Sequence, residues 1–151
     1  METQWLKLEI EFATHFSYRM PESSSQFAVT SLLPAPTTIK LAIVSTAIWQ
    51  TMCIKEGDEV FEILKNSEIK LNVPRRISMF EPFLRRLYQE KKGSLGESFG
   101  RRGYVLYSEP LNIFIKCEQA KKIKEYAQSI RYLGTSDSLC RIKVTDEEPK
   151  G

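Results

Sequence analysis

The sequence predicts an α+β domain of the split βαβ kind, and three observations carry that prediction. Apolar and polar residues alternate at both ends of the chain, from Leu6 to Phe12 and again from Leu139 to Val144, the period-two signature of half-buried strands. Two segments between them read as helices, Ile39 to Trp49 as a long apolar run behind Thr37-Thr38 and Ala120 to Ile130 by amphipathic spacing. A single basic stretch, residues 75 to 103, interrupts the second half with charge doublets instead of an apolar pattern.

In the first strand Leu6, Leu8, Ile10 and Phe12 alternate with Lys7, Glu9 and Glu11. Arg19 to Pro36 contains a serine run and the proline-punctuated Leu32-Leu33-Pro34-Ala35-Pro36, which predicts a long loop. Thr37 and Thr38 offer an N-cap to a helix over Ile39 to Trp49, apolar on nearly every side and so expected to be buried. Its β-branched content leaves a strand open there. Gly57 is expected to end this region, with Asp58 to Asn66 a short second helix carrying Val60, Phe61 and Leu64. Ile69 to Val73 reads as a short strand stopped by Pro74, because proline cannot donate to a ladder. Phe83 to Lys92 has helical spacing, and Lys91 to Gly103 reads as a mobile, basic Gly/Ser loop. Tyr104 to Leu106 and Leu111 to Cys117 are strands around a Ser108-Glu109-Pro110 turn. Ala120, Ile123, Ala127 and Ile130 mark an amphipathic helix, Leu139 to Val144 a last strand, and the polar segment from Asp146 a frayed tail.

The resulting order is strand, helix, strand, basic insertion, strand, helix, strand, the ferredoxin-like pattern shared by RRM-like domains. A sheet of that kind with helices on one face leaves its other face and its long loops free to hold RNA. With 151 residues, 42% of them hydrophobic, residues 1–151 are expected to form a single domain, with 75–103 as a basic, thumb-like insertion. Cys53, Cys117 and Cys140 lie far apart, which excludes a Cys-x-x-Cys pair and reads as reduced, small apolar residues. No apolar run approaches the ~20 residues that span a bilayer, and Met1-Glu2-Thr3-Gln4 lacks the flank of a signal peptide. A cytoplasmic protein without membrane contact is expected.

Net charge is only +3, but it is unevenly spread: residues 70–102 hold nine Lys/Arg against three Asp/Glu, while residues 1–69 hold five against nine. A charge run is ordinarily a solvated face. Here the charges come as doublets (Arg75-Arg76, Arg85-Arg86, Lys91-Lys92, Arg101-Arg102), interleaved with aromatics such as Phe80, Phe99 and Tyr104 and punctuated by Gly93, Gly96, Gly100 and Gly103. Basic groups beside flat rings suit phosphate contact and base stacking, so a polyanion, RNA above all, is the expected partner.

Three segments in this order resemble one family: Leu33-Pro34-Ala35-Pro36-Thr37-Thr38 running into an apolar helix, Arg101-Arg102-Gly103-Tyr104 with its following strand, and Tyr132-Leu133-Gly134-Thr135-Ser136 before the last strand. The chain resembles the CRISPR-associated protein five family, RAMP-superfamily subunits of type I Cascade complexes, over about residues 5–144. The resemblance implies a RAMP domain that caps the particle by gripping the 5′ handle of the crRNA, with a thumb against the backbone subunit of Cascade and further Cascade proteins nearby. By resemblance and charge together, the RNA contacts fall on Arg19, Arg75, Arg76, Lys91, Lys92, Arg101, Arg102, Tyr104, Tyr132 and Gly134. Two departures stand out: the turn holds one glycine and continues Thr135-Ser136-Asp137 without further basic residues, and the chain is short for the family.

The competing reading is a metal-independent endoribonuclease processing pre-crRNA. Such cleavage uses the 2′-hydroxyl as nucleophile and needs a general base near neutral pKa with a cation or phenol beside it. His15 is the only histidine, with Tyr18 and Arg19 close by, but spacing places no second titrating partner, so no enzyme and no catalytic residue is expected. No cofactor is expected either. The glycines from 93 to 103 lack the strand-turn-helix context of a nucleotide cradle, and Asp58, Glu59 and Glu62 read as first-turn helix acids that suit the dipole instead of metal ligands. Trp5 and Trp49 sit in apolar settings and are expected in the core.

Overall fold

The computed structural model describes residues 2–13, 16, 27–28, 33–80, 83–89, 95–102, 104–134 and 138–150; for 27–28, 80, 83–89 and 95–102 the description is of the backbone. In chain order the elements are β1 (Gln4–Phe12), β2 (Phe27–Ala28), α1 (Pro36–Thr51), α2 (Ile54–Leu64), β3 (Glu68–Asn72), β4 (Ile77–Phe80), β5 (Phe83–Gln89), β6 (Leu95–Arg102), β7 (Tyr104–Tyr107), β8 (Leu111–Cys117), α3 (Ala120–Gln128) and β9 (Cys140–Thr145).

Four strands form an antiparallel sheet in the order β3-β8-β1-β9. Period-two alternation decides which side is which. In register, Leu6, Leu8 and Ile10 lie beside Ile115, Ile113 and Leu111, and Leu8 and Ile10 lie beside Val144 and Ile142, so one face is an unbroken apolar surface. Ile39, Ile43 and Ala47 of α1, Val60 and Leu64 of α2 and Ile123 and Ala127 of α3 close over it. Each of the larger side chains contributes roughly 1.5–3 kcal/mol by leaving water. The helices are also strapped to one another. The Glu56 carboxylate accepts from the Tyr126 hydroxyl (2.8 Å) and pairs with the Lys122 ammonium (2.7 Å), joining α2 to α3, and Lys40 donates to the Ser67 carbonyl (2.9 Å).

The basic third of the chain is β-structure. β4 pairs with β7 from Ile77↔Tyr107 to Phe80↔Tyr104, and β5 pairs with β6 from Phe83↔Arg101 to Gln89↔Leu95. The two ladders belong to separate sheets, β4-β7 and β2-β6-β5, whose partners share the same numerical register; together they make up the arm. β2 adds a short parallel partner at Arg101 and Arg102. The root of the arm is pinned to the sheet: Phe16 and Val105 exchange two backbone hydrogen bonds of 2.8 Å, and the rings of Phe12, Phe16 and Tyr107 meet with centroids 5.4, 5.7 and 6.3 Å apart. No helix among the described residues is long and apolar enough to cross a membrane.

Several sequence expectations are corrected. Phe83 to Lys92 does not form a helix, and Leu95–Arg102 is a strand where a loop was expected. An isolated helix shorter than about 12–15 residues is marginal in water, whereas pairing β5 with β6 satisfies both backbones at once. The loop expected from Arg19 to Pro36 contains the two residues of β2. Thr37 and Thr38 do not cap α1: the N-cap is Ala35, and Pro36 takes the first helical turn, where its missing N–H costs nothing. Nor is α1 buried all round, since only the Ile39-Ile43-Ala47 stripe is covered and Trp49 is 72% exposed. Gly57 lies inside α2, not at its start, because a β-carbon there would collide with the Ile48 side chain of α1. The acid in the first turn of α2 is therefore Glu56, not Asp58.

Candidate nucleic-acid interface

The residues expected to hold RNA fall in two places. The first is the arm. At its root the Arg75 N–H donates to the Glu109 carboxylate (2.9 Å), the Arg76 N–H donates to the Ser108 hydroxyl (3.1 Å), and the Ser108 N–H returns to the Arg76 carbonyl (3.1 Å). The backbone of this doublet is spent on anchoring, and both arginines are exposed. Arg101 lies on β6, opposite Phe83 of β5. Tyr104 is only 7% exposed, so it packs at the root of the arm and offers no open ring for stacking. Arg19, Lys91, Lys92 and His15 lie outside the described residues, as do the side chains of Arg101 and Arg102.

The second place is a groove of about 510 Å³ between the uncovered side of α1 and the segment 129–134. Leu41, Ser45 and Trp49 line it from the helix, and Arg131, Tyr132 and Gly134 line it from the turn. Tyr132 is 49% exposed. The turn is held by backbone bonds, Leu133 N–H to the Ser138 carbonyl (3.2 Å) and Cys140 N–H to the Arg131 carbonyl (2.8 Å), while Leu133 is buried beneath as an anchor. Gly134 has φ of 79°, the left-handed region that a side chain would strain, which is why glycine stands there. The described residues lining the groove include Tyr132 and Gly134 but not Arg75, Arg76 or Tyr104.

The groove pairs two open aromatic rings with an arginine, chemistry suited to stacking flat bases and touching phosphate. Trp49 and Arg131 escape sequence reasoning because nothing in an apolar helix says which face stays open. The 41-45-49 spacing is the one signal that puts Trp49 on the side opposite Ile39 and Ile43. Reactive groups are quiet: burial raises the Cys117 and Cys140 thiols to about 11, which keeps them protonated, and burial also pushes the Tyr107 phenol up. Among the described residues no group of three His, Cys, Asp or Glu is placed to hold a metal ion.

No protein-family model matches the chain. It is 36% identical over 154 residues to the CRISPR-associated protein Cas5 of Archaeoglobus fulgidus, an alignment that takes in 97% of this chain and 68% of that protein. The chain belongs to the Cas5 family. The fold is similar to that of a CRISPR protein from Archaeoglobus fulgidus seen by crystallography, with a TM-score of 0.53 at 14% identity over 95% of this Cas5 chain and 63% of that one. It is also similar to chains in two cryo-EM structures of type III-B Cmr-beta bound to cognate target RNA. The first, which also holds AMPPnP, gives a TM-score of 0.61 at 9% identity over 94% of this chain and 64% of that one. The second gives 0.62 at 16% identity over 96% and 61%. This Cas5 family member thus spans less than two thirds of each of those solved chains, and at such identities the likeness concerns the fold alone.

Proposed function

We propose that this chain is a non-catalytic subunit of a CRISPR interference particle of the type I Cascade kind, in which it binds the 5′ handle of the crRNA and caps the repeating backbone. One observation carries the reading: the basic doublets fall on or beside paired strands, Arg85-Arg86 on β5 and Arg101-Arg102 on its partner β6, with Arg75-Arg76 exposed just before β4. A polyanion contacted at intervals gains affinity by counterion release at each phosphate. The groove between α1 and Tyr132-Leu133-Gly134 supplies rings on which handle bases stack, and the arm is the thumb that reaches the next subunit. On this reading the core is ferredoxin-like, supported by the sheet order β3-β8-β1-β9 with every neighbouring pair antiparallel.

The test is a salt titration of handle RNA binding to the wild-type chain and to Arg101→Ala/Arg102→Ala. Each lost phosphate contact removes roughly 0.7–0.9 from the log-log slope, so the double variant flattens it by about 1.4–1.8. An unchanged slope sinks the reading. Binding without cleavage is checked with repeat RNA in the absence of metal: His15→Ala leaves the RNA lengths unaltered, whereas loss of a cutting activity on that substitution would put the endoribonuclease reading first. Co-purification with identification of the bound proteins separates a type I particle from a type III one.

A further inference from the structure

The helix-free face of the central sheet carries chemistry that the handle-binding reading does not use. By the same registers that build the core, this face presents Trp5 beside Lys116, Lys7 beside Phe114 and Lys70 on the far side of Phe114. Trp5 and Phe114 thus stand on the two central strands, diagonal neighbours across the ladder. Phe114 is 4% exposed and forms the floor of the face, while Trp5 is half-buried and forms its upper step. The ammonium groups of Lys70 and Lys116 lie 5.6 and 5.9 Å from the Trp5 ring centroid, and among the described residues Lys116 has no carboxylate partner. Glu9, Glu11 and Glu68 share the face, so charge alone does not define it; the aromatic step between two cations does.

A second observation concerns what already lies there. Asp146, Glu147 and Glu148 follow β9 directly and, with Thr3, Gln4, Trp5 and Lys116, enclose a depression of about 420 Å³. Glu147 is paired with Lys7 at 3.3 Å. Three consecutive acids in an extended segment therefore run against the cationic, aromatic corner.

We propose that the sheet face around Trp5 is a binding surface for single-stranded nucleic acid, separate from the handle site, and that Asp146-Glu147-Glu148 occupies it as an internal anionic stand-in. On this sheet face the half-exposed Trp5 ring stacks a base above the buried floor that Phe114 forms, and the lysines beside Trp5 take the phosphates. When a strand arrives, a base takes the place of the ammonium groups over Trp5, Lys70 and Lys116 turn to its phosphates, and Lys7 exchanges Glu147 for a phosphate oxygen. The tail and the strand compete for the same cations.

The experiment uses the full chain with Trp49→Phe, which leaves Trp5 as the single tryptophan and so reports this face alone, in an Arg101→Ala/Arg102→Ala background that weakens the handle contacts. Eight-residue oligouridylate and oligothymidylate are titrated against Trp5 fluorescence, with inorganic polyphosphate as a base-free control. Saturable quenching by both oligonucleotides, and none by polyphosphate, is expected. Asp146→Asn/Glu147→Gln/Glu148→Gln tightens binding by about fivefold and Lys116→Glu weakens it by a similar factor, the scale of a few exposed charge contacts. Absence of quenching, quenching by polyphosphate alone, or affinity unmoved by both the tail and the Lys116 variants overturns the proposal. Because the background lacks Arg101 and Arg102, such a failure leaves the handle reading standing.

Discussion

The β1–β8 ladder of the central sheet and the β5–β6 ladder of the arm are the same kind of object, antiparallel and of similar length, yet their sequences are built in different ways. Every second residue of β1 and β9 points into a core of leucine, isoleucine and valine, so side chains specify the strands and the ladder follows. In β5 and β6 the doublets Arg85-Arg86 and Arg101-Arg102 break any alternation, and the ladder itself is the main source of order. A strand with one buried face writes its register into its composition.

The comparison breaks if the arm proves necessary for the core. Replacing residues 83–101 by an Asn-Gly turn removes β5 and most of β6 but keeps the Phe80↔Tyr104 pair and the Phe16↔Val105 anchor. Entry into the assembled particle is expected to be abolished. The melting temperature should move by no more than about 4 °C, the shift of roughly 1 kcal/mol in a chain of this size. A protein that fails to fold would place the arm in the core, and one that still co-assembles at wild-type stoichiometry would remove its thumb role.

The opposite result is expected inside the sheet. Ile113 is fully buried at the centre of β8, between Leu8 and Leu71, and Ile113→Ala should lower the urea-derived stability by about 2–5 kcal/mol. RNA affinity per folded molecule should stay unchanged. A loss below about 1 kcal/mol would mean that the sheet is not the part that holds the fold.

The smallest effect concerns the strap between α2 and α3. The Lys122 ammonium, then the Tyr126 hydroxyl, hold the Glu56 carboxyl below its ordinary value of 4.5. Lowered in the folded state, it contributes stability that is present above pH 4.5 and lost as the pH falls through its folded value. Glu56→Gln should therefore be less stable than wild type at pH 7, by about 1 kcal/mol for a partly exposed pair, with the gap closing in acid. Equal urea midpoints at pH 7, or a gap that persists at low pH, would show that the strap does not depend on the charge of Glu56.

Legibility in the sequence followed burial. Leu6-Leu8-Ile10, Ile142-Val144 and Ala120-Ile123-Ala127 each expose a period because each has one covered face, and their elements stand where the periods put them. β4 escaped because Ile77 and Met79 look like stray apolar residues until Tyr107 and Val105, nearly thirty positions on, are seen opposite them. Spacing alone could not separate strand from helix at Phe83-Leu84 and Leu87-Tyr88, where a backbone partner decided the matter. Of the candidate sites, Tyr132 and Gly134 were visible as a turn, but the groove they share with Trp49 joins residues more than eighty positions apart, and Trp5 gains its meaning only from Lys70 and Lys116 on neighbouring strands.

The register of the β5–β6 ladder constrains how this protein can change over generations. The pairs from Phe83↔Arg101 to Gln89↔Leu95 belong to one ladder, so a codon gained or lost in a single leg would invert the facing of every residue beyond it or force a bulge. Lengthening or shortening of the ladder must come as matched changes in both legs. Reach can thus vary between lineages in steps of roughly 7 Å, two residues per leg, while the spacing of the root from the sheet stays fixed.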